Sequence, residues 1–375
     1  MKRFFLITWL LVGLLSASCA VPRFAVNTEV DGQLVDTTVD SEIAQYYLQQ
    51  YIHGERTRPE FDSAIEAIKQ RLASGELTSE YLLEVSEAHS TDFGALMLWQ
   101  QLRNDSVNER AIQVFADEFA KVSSSPLSAI DASAHDGADY LFVFAPGWLY
   151  RRHPSVGGDF ADQRRTLLEA GYRTRLLACD ENGTIEANAA IITEELGYIL
   201  EREENVVLIS VSKAGPEVAL ALTQLKSSPH ADKLKAWINI GGVLRGSPLA
   251  DDAFKWPTRW GVKLFLMRCD PMDSIHSMKP EVLGPVADLF SPPSNTLILN
   301  YVGVPMTGDL TKFGWPGYLR MRHLGPNDGA TMILDEIPPN SFSVPELGLD
   351  HYFRHPQINL KSLALARTVI RLLAK

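Results

Sequence analysis

Cysteine is scarce in this 375-residue chain: only Cys19, Cys179 and Cys269 occur. So few exclude a disulfide framework of the kind that holds small exported domains together. None of the three stands in a Cys-x-x-Cys pair or at Cys/His ligand spacing, so no metal site is expected. Clustered positive charge is missing as well. Thirty-five Lys and Arg residues face 46 Asp and Glu, for a net charge of −11. Phosphate backbones demand concentrated Lys and Arg, which sets nucleic acid aside as a partner. Low-complexity tracts and a clear internal repeat are also absent, so a solenoid is not supported. No apolar run reaches the ~20 residues a membrane-spanning helix needs.

The start of the chain is distinctive in its own way. Lys2 and Arg3 precede the apolar run Phe4–Leu15, which ends in the small residues Ser16, Ala17 and Ser18. A basic start, a short apolar core and small residues at its end make residues 1–18 a secretory signal. With Cys19 next, the segment resembles a bacterial lipoprotein signal, in which that cysteine becomes the lipidated first residue. The resemblance implies an exported protein of the cell envelope, anchored to a membrane through Cys19. Ser16 stands where that family usually has leucine, and ordinary cleavage after Ala20 is the alternative. Cys179 and Cys269 remain for one disulfide at most.

Residues 19–40 read as a polar, aperiodic tether. From 41 to 125 helical spacing dominates. Phe61, Ile65, Ile68 and Leu72 share one helix face, and Ile112, Phe115, Phe119 and Val122 repeat the pattern before Ser-Ser-Ser-Pro at 123–126. The rhythm then changes. Tyr140–Ala145, Tyr172–Cys179, Val206–Val211, Ala236–Ile240 and Thr296–Val302 are short apolar strands, separated by helical stretches, and an amphipathic helix ends the chain. Alternation of this kind predicts an α/β fold over 126–375, a mostly parallel sheet with helices on both faces. Sites in such sheets lie at the carboxyl ends of the strands.

Val206–Val211 runs into Ser212-Lys213-Ala214-Gly215 and then a helix. A serine on a sharp strand-to-helix turn has the layout of a nucleophile elbow, with small residues, Ser210 and Ala214, two places to either side. A phosphate-binding turn at a helix start is the plainer reading of the same residues. A serine needs a base oriented by an acid, and here acid and histidine follow it in chain order. Asp328 stands in an Asn-Asp-Gly turn after the last predicted strand, and His351 in a loop before the final helix. Asp309 and Asp335 compete for the acid's place, and His355 and His323 for the base's. Oxyanion stabilisation needs aimed N–H donors. Lys213, next to the serine, supplies one. Trp148, in the Ala-Pro-Gly-Trp loop after the first core strand, supplies the other, with Gly157-Gly158 as the alternative.

Together these segments resemble the bacterial triacylglycerol-lipase and esterase branch of the α/β-hydrolase superfamily. FAPGW at 144–148 stands where that family has His-Gly and an apolar residue, with Pro146 in place of the histidine. Arg245-Gly246-Ser247 matches its Arg-Gly-Ser, GPNDGA at 325–330 its acid turn, and LDHYF at 349–353 its histidine segment. The elbow departs from Gly-x-Ser-x-Gly at Ser210 and Ala214. The resemblance covers the chain from about Asp139 onward. It implies hydrolysis of carboxylic esters, of lipid or other acyl type, through Ser212, His351 and Asp328, with no cofactor. It also implies a lid over 248–294, where Trp256, Trp260, Phe265 and Met267 are candidates for an acyl site. An acyltransferase or thioesterase on the same triad is one alternative. An envelope lipoprotein with a degenerate, non-catalytic core is the other.

Overall fold

A computed structural model describes residues 21–124, 139–255 and 271–374. The signal segment, Cys19, Trp256, Trp260, Phe265, Met267 and Cys269 lie outside the described residues.

The stretch expected to be a tether is a hairpin instead. Phe24–Val30 (β1) pairs antiparallel with Gln33–Val39 (β2). Asp31 and Gly32 join them, both with positive φ, as a tight two-residue hairpin turn requires. Val26, Val30 and Val39 are buried beneath it. The strands read as aperiodic because so few of their residues face inward.

Helices follow at Glu42–Gln49, Pro59–Ala73, Ser79–Ala88, Thr91–Asn104 and Ser106–Ser124. Ser41, Thr78 and Ser90 cap three of them by accepting a main-chain N–H of the first turn. The first four bury a common apolar cluster that also takes in Val302, Val304, Met306 and Ile333 from later in the chain.

Six strands build the main sheet: β3 (Leu141–Ala145), β4 (Arg173–Leu176), β5 (Val206–Val211), β6 (Leu234–Ile240), β7 (Leu297–Val304) and β8 (Phe342–Leu347). Their order is β4-β3-β5-β6-β7-β8, and every neighbouring pair is parallel. β8 was not foreseen. It contains Pro345, which an edge strand tolerates because its outer N–H has no ladder partner to lose.

Both faces of the sheet are covered. On one, Phe142, Phe144, Val207, Ile209, Ile238, Leu299 and Tyr301 pack under the Ala161–Glu169 and Ile358–Leu373 helices. The Ser106–Ser124 helix joins that same layer through Ala111, Val114, Phe115 and Val122. The sheet's covering therefore begins before residue 126. On the other face, Val143, Leu208 and Trp237 meet the Ile185–Leu200 and Ala214–Leu225 helices. This is the α/β-hydrolase fold. No helix among the described residues is long and apolar enough to cross a membrane.

Candidate active site

β5 ends at Val211, and the chain reverses at once into the Ala214–Leu225 helix. To make that turn Ser212 takes φ 55, a left-handed conformation that costs a non-glycine residue of order 1–3 kcal/mol. Its N–H donates to Ile240 O at 3.1 Å, and its carbonyl accepts from Gly215 N and Val243 N. The side chain is thereby held out at the carboxyl end of the sheet.

The small-residue requirement of the elbow falls elsewhere than the Gly-x-Ser-x-Gly pattern suggests. A Cβ on Gly215 would lie 2.8 Å from Gly242 Cα, so the close helix–strand approach is made one place later. Ser210 is fully buried, and its hydroxyl accepts from Trp237 Nε1 at 2.8 Å. A glycine there would leave that indole N–H unmet. The departures at 210 and 214 thus have a packing reason.

Three side chains distant in sequence meet at this turn. His351 Nε2 lies 2.8 Å from Ser212 Oγ, and His351 Nδ1 lies 2.5 Å from Asp328 Oδ2. Asp328 Oδ1 accepts from Ala330 N at 2.8 Å and Thr331 N at 2.7 Å, and the His351 N–H donates to Asp328 O. Gly329, at φ 97, turns the loop so that both donors face the carboxylate. The Arg-Gly-Ser segment braces this turn, with Thr331 Oγ1 donating to Gly246 O at 2.8 Å. Burial alone would raise the Asp328 carboxyl; the His351 ring opposite and the two N–H donors hold it below its usual range. Burial also opposes a charged imidazole, yet the Asp328 carboxylate raises His351 above its ordinary value.

The competing residues are placed differently. Asp309 accepts from Met306 N, His355 Nδ1 from Gln357 N, and His323 is exposed. Asp335 has its carboxyl raised by burial.

The loop after β3 lies against the elbow: a Cβ on Gly147 would meet Val211 Cγ1 at 3.2 Å. Leu149, just beyond Trp148, takes φ 56. Gly158 accepts from Gly147 N at 2.9 Å, so the two glycines at 157–158 close this loop. Neither Trp148 nor Lys213 donates its main-chain N–H to any group among the described residues. The stretch expected as a lid supplies helices at Pro248–Asp252, Met272–Ser277 and Pro280–Asp288. Its residues Ala250, Ala253 and Ile275 form a small apolar cluster on which Trp148, Phe254, Met272 and Met278 pack. The Trp148 indole N–H is buried there with no partner among the described residues.

Two buried acids near the site escaped sequence reasoning. Glu336 is fully enclosed, and burial, together with the Asp328 charge, raises it well above the carboxylate range. Glu217 pairs with the Lys213 ammonium, and both are almost wholly buried. Burial pushes Glu217 up to about 7 against the opposing pull of Lys213. A Lys–Glu pair at this spacing on a helix reads in sequence as an exposed surface pair, which hid it. Cys179 is a free, buried thiol, pushed up to about 12 by burial and the Glu217 charge. Among the described residues no group of His, Cys, Asp and Glu could hold a metal.

Chemically, the arrangement offers a hydroxyl within reach of a base and a buried acid behind that base. No protein-family model matches the chain, and no curated protein matches it. Solved structures do. A metagenomic carboxyl esterase superposes with a TM-score of 0.52 at 18% identity, over 70% of this chain and 90% of its own. The mature form of a Bacillus licheniformis lipase gives 0.49 at 19%, over 66% and 96%. Lipase 1 of Pelosinus fermentans gives 0.46 at 11%, over 62% and 99%. At 18% identity the likeness to the carboxyl esterase speaks to the fold alone.

Proposed function

We propose that the chain is a serine hydrolase of carboxylic esters, with Ser212 as nucleophile, His351 as general base and acid, and Asp328 as the group that orients it. One observation carries the reading: the unbroken line from Ser212 Oγ through His351 to the buried Asp328 carboxylate. Ser212 Oγ attacks the ester carbonyl while its proton passes to His351 Nε2. The tetrahedral oxyanion is held by the Trp148 and Lys213 N–H groups, which find no other acceptor among the described residues. Collapse expels the alcohol, which takes the proton from His351, and water then releases the acid by the same route. Asp328 fixes the ring tautomer and stabilises the imidazolium.

Lipid or other acyl esters are the favoured substrates, supported by the apolar residues of the 248–278 stretch that pack on Trp148. Labelling by a fluorophosphonate probe, present in the wild type and absent in Ser212→Ala, is the expected result. A panel of esters of varied acyl length then ranks substrates. Equal labelling of both proteins would overturn the reading. Export and anchoring through Cys19 complete the proposal. A Cys19→Ser variant that still fractionates with membranes and incorporates labelled fatty acid would refute the anchor.

A further inference from the structure

Lys213 is an odd residue to bury. It directly follows the candidate nucleophile, only 2% of it is exposed, and its ammonium is committed to Glu217 one helical turn later. Burying an ion pair costs more in desolvation than a well-packed apolar pair of similar volume, so its presence at an elbow calls for a reason beyond stability.

The pair does not end at Glu217. Asn188 Nδ2, from the neighbouring helix, donates to Glu217 Oε1 at 2.8 Å. The same amide closes on the loop after β4: Nδ2 donates to Asp180 O at 2.9 Å, and Oδ1 accepts from Asp180 N at 3.0 Å. Gly183 lets the loop fold tightly over it, since a Cβ there would lie 2.8 Å from Asn188 Oδ1. From this loop the contacts pass to the segment after β3. Tyr150 Oη donates to Cys179 O at 3.0 Å. Glu181 Oε2 accepts from Arg151 N and Arg152 N, and Glu181 O from Leu149 N.

One polar chain therefore joins the residue after Ser212 to the residues after Trp148. At its two ends stand left-handed residues, Ser212 beside Lys213 and Leu149 beside Trp148. Left-handed non-glycine residues persist only where their surroundings hold them.

We propose that Lys213, Glu217, Asn188 and the 179–181 loop form a positioning clamp that keeps the two oxyanion donors, Lys213 N–H and Trp148 N–H, in mutual register. The inference rests on the hydrolase reading and deepens it. Lys213 thus has two roles: its main chain faces the oxyanion, and its side chain anchors that main chain. Glu217, Asn188 and Tyr150 are positioning residues; none touches substrate.

The test uses the purified full chain, with active sites counted by fluorophosphonate titration. Variants are Glu217→Gln, the apolar double Lys213→Met/Glu217→Leu, and Tyr150→Phe at the far end of the clamp. The double variant removes the charges without leaving one unpaired, and Tyr150→Phe deletes a single hydroxyl. In the first two, kcat per titrated site falls about 10- to 100-fold with KM little changed, the loss expected when donors are slightly misplaced. Affinity for a trifluoromethyl ketone, whose adduct carries the oxyanion, falls in parallel. Tyr150→Phe shows a smaller loss of the same kind, not additive with Glu217→Gln. A purely structural role would lower Tm and the number of titratable sites but leave kcat per site within about twofold, and that result overturns the clamp. If Glu217→Gln does not fold, Tyr150→Phe decides alone: unchanged kcat per site and ketone affinity refute the proposal. Failure of the hydrolase reading appears separately, as a wild type whose labelling is independent of Ser212.

Discussion

Asp92 and Asp328 are both almost wholly enclosed, and both accept main-chain N–H groups. Asp92 also accepts from Asp40 N, the Thr307 hydroxyl and the Tyr318 hydroxyl, so its donors come from the hairpin's end, the loop after β7 and the Trp315–Met321 helix. Burial and the adjacent Asp40 carboxylate push it up to about 7. Asp328 faces a histidine instead, and is held below its usual range. Burial is common to the two; the partner decides where the proton goes. At Asp92 the hydrogen bonds stitch the N-terminal region to the sheet. Around Asp328 the line continues outward through His351 to the Ser212 hydroxyl.

The sharpest way to break this contrast is at the triad. Ser212→Ala should lower ester turnover about 10⁴- to 10⁶-fold, and Asp328→Asn about 10⁴-fold, each with little change in Tm. Initial rates on a short-chain ester check both. Asp92→Ala should do the reverse. Four buried donors lose their acceptor at about 1–3 kcal/mol each, so a loss of at least about 4 kcal/mol is expected in denaturant titration, with kcat per titrated site retained. If Asp92→Ala instead abolishes turnover in folded protein, the two regions are not distinct.

pH separates them further. His351 acts as a base only when neutral, and its raised value places the acid limb of kcat/KM above pH 6.5; replacing Asp328 should move that limb to lower pH. For Asp92 the folded value of about 7 exceeds the ordinary 3.8. Its contribution is therefore fully present below pH 3.8 and lost as pH rises towards 7. Tm should fall across that window, less steeply in Asp92→Asn; Glu217, also raised to about 7, keeps part of the slope. Smallest of all is Ser210→Gly. It restores the familiar elbow pattern but strands Trp237 Nε1, so a stability loss of about 1 kcal/mol with no gain in kcat is expected from thermal melts and steady-state rates.

Much of the sheet was readable because β3, β5, β6 and β7 are mostly apolar runs, largely buried. β8 was not, since Pro345 argues against a strand unless its edge position is known. The hairpin left a signal in Asp31-Gly32, but its strands expose too many polar residues to alternate clearly. Ser212, Asp328 and His351 were legible through chain order and turn chemistry, which are local. Asp92 and the Lys213–Glu217 pair were not, because their meaning depends on burial that no local pattern reports. For the same reason periodicity identified the Ser106–Ser124 helix without revealing which surface it covers.

That helix carries a consequence for how the chain assembles. It lies beside the Ile358–Leu373 helix, where Arg367 Nε reaches the fully enclosed Glu118 at 2.6 Å. The partners are 249 residues apart, so bringing them together closes a loop spanning most of the chain, an entropic cost that precedes its reward. During synthesis the early helix must wait for this neighbour until a segment 249 residues later has been made. Disrupting the Ile358–Leu373 helix should therefore slow or abort maturation before it alters chemistry.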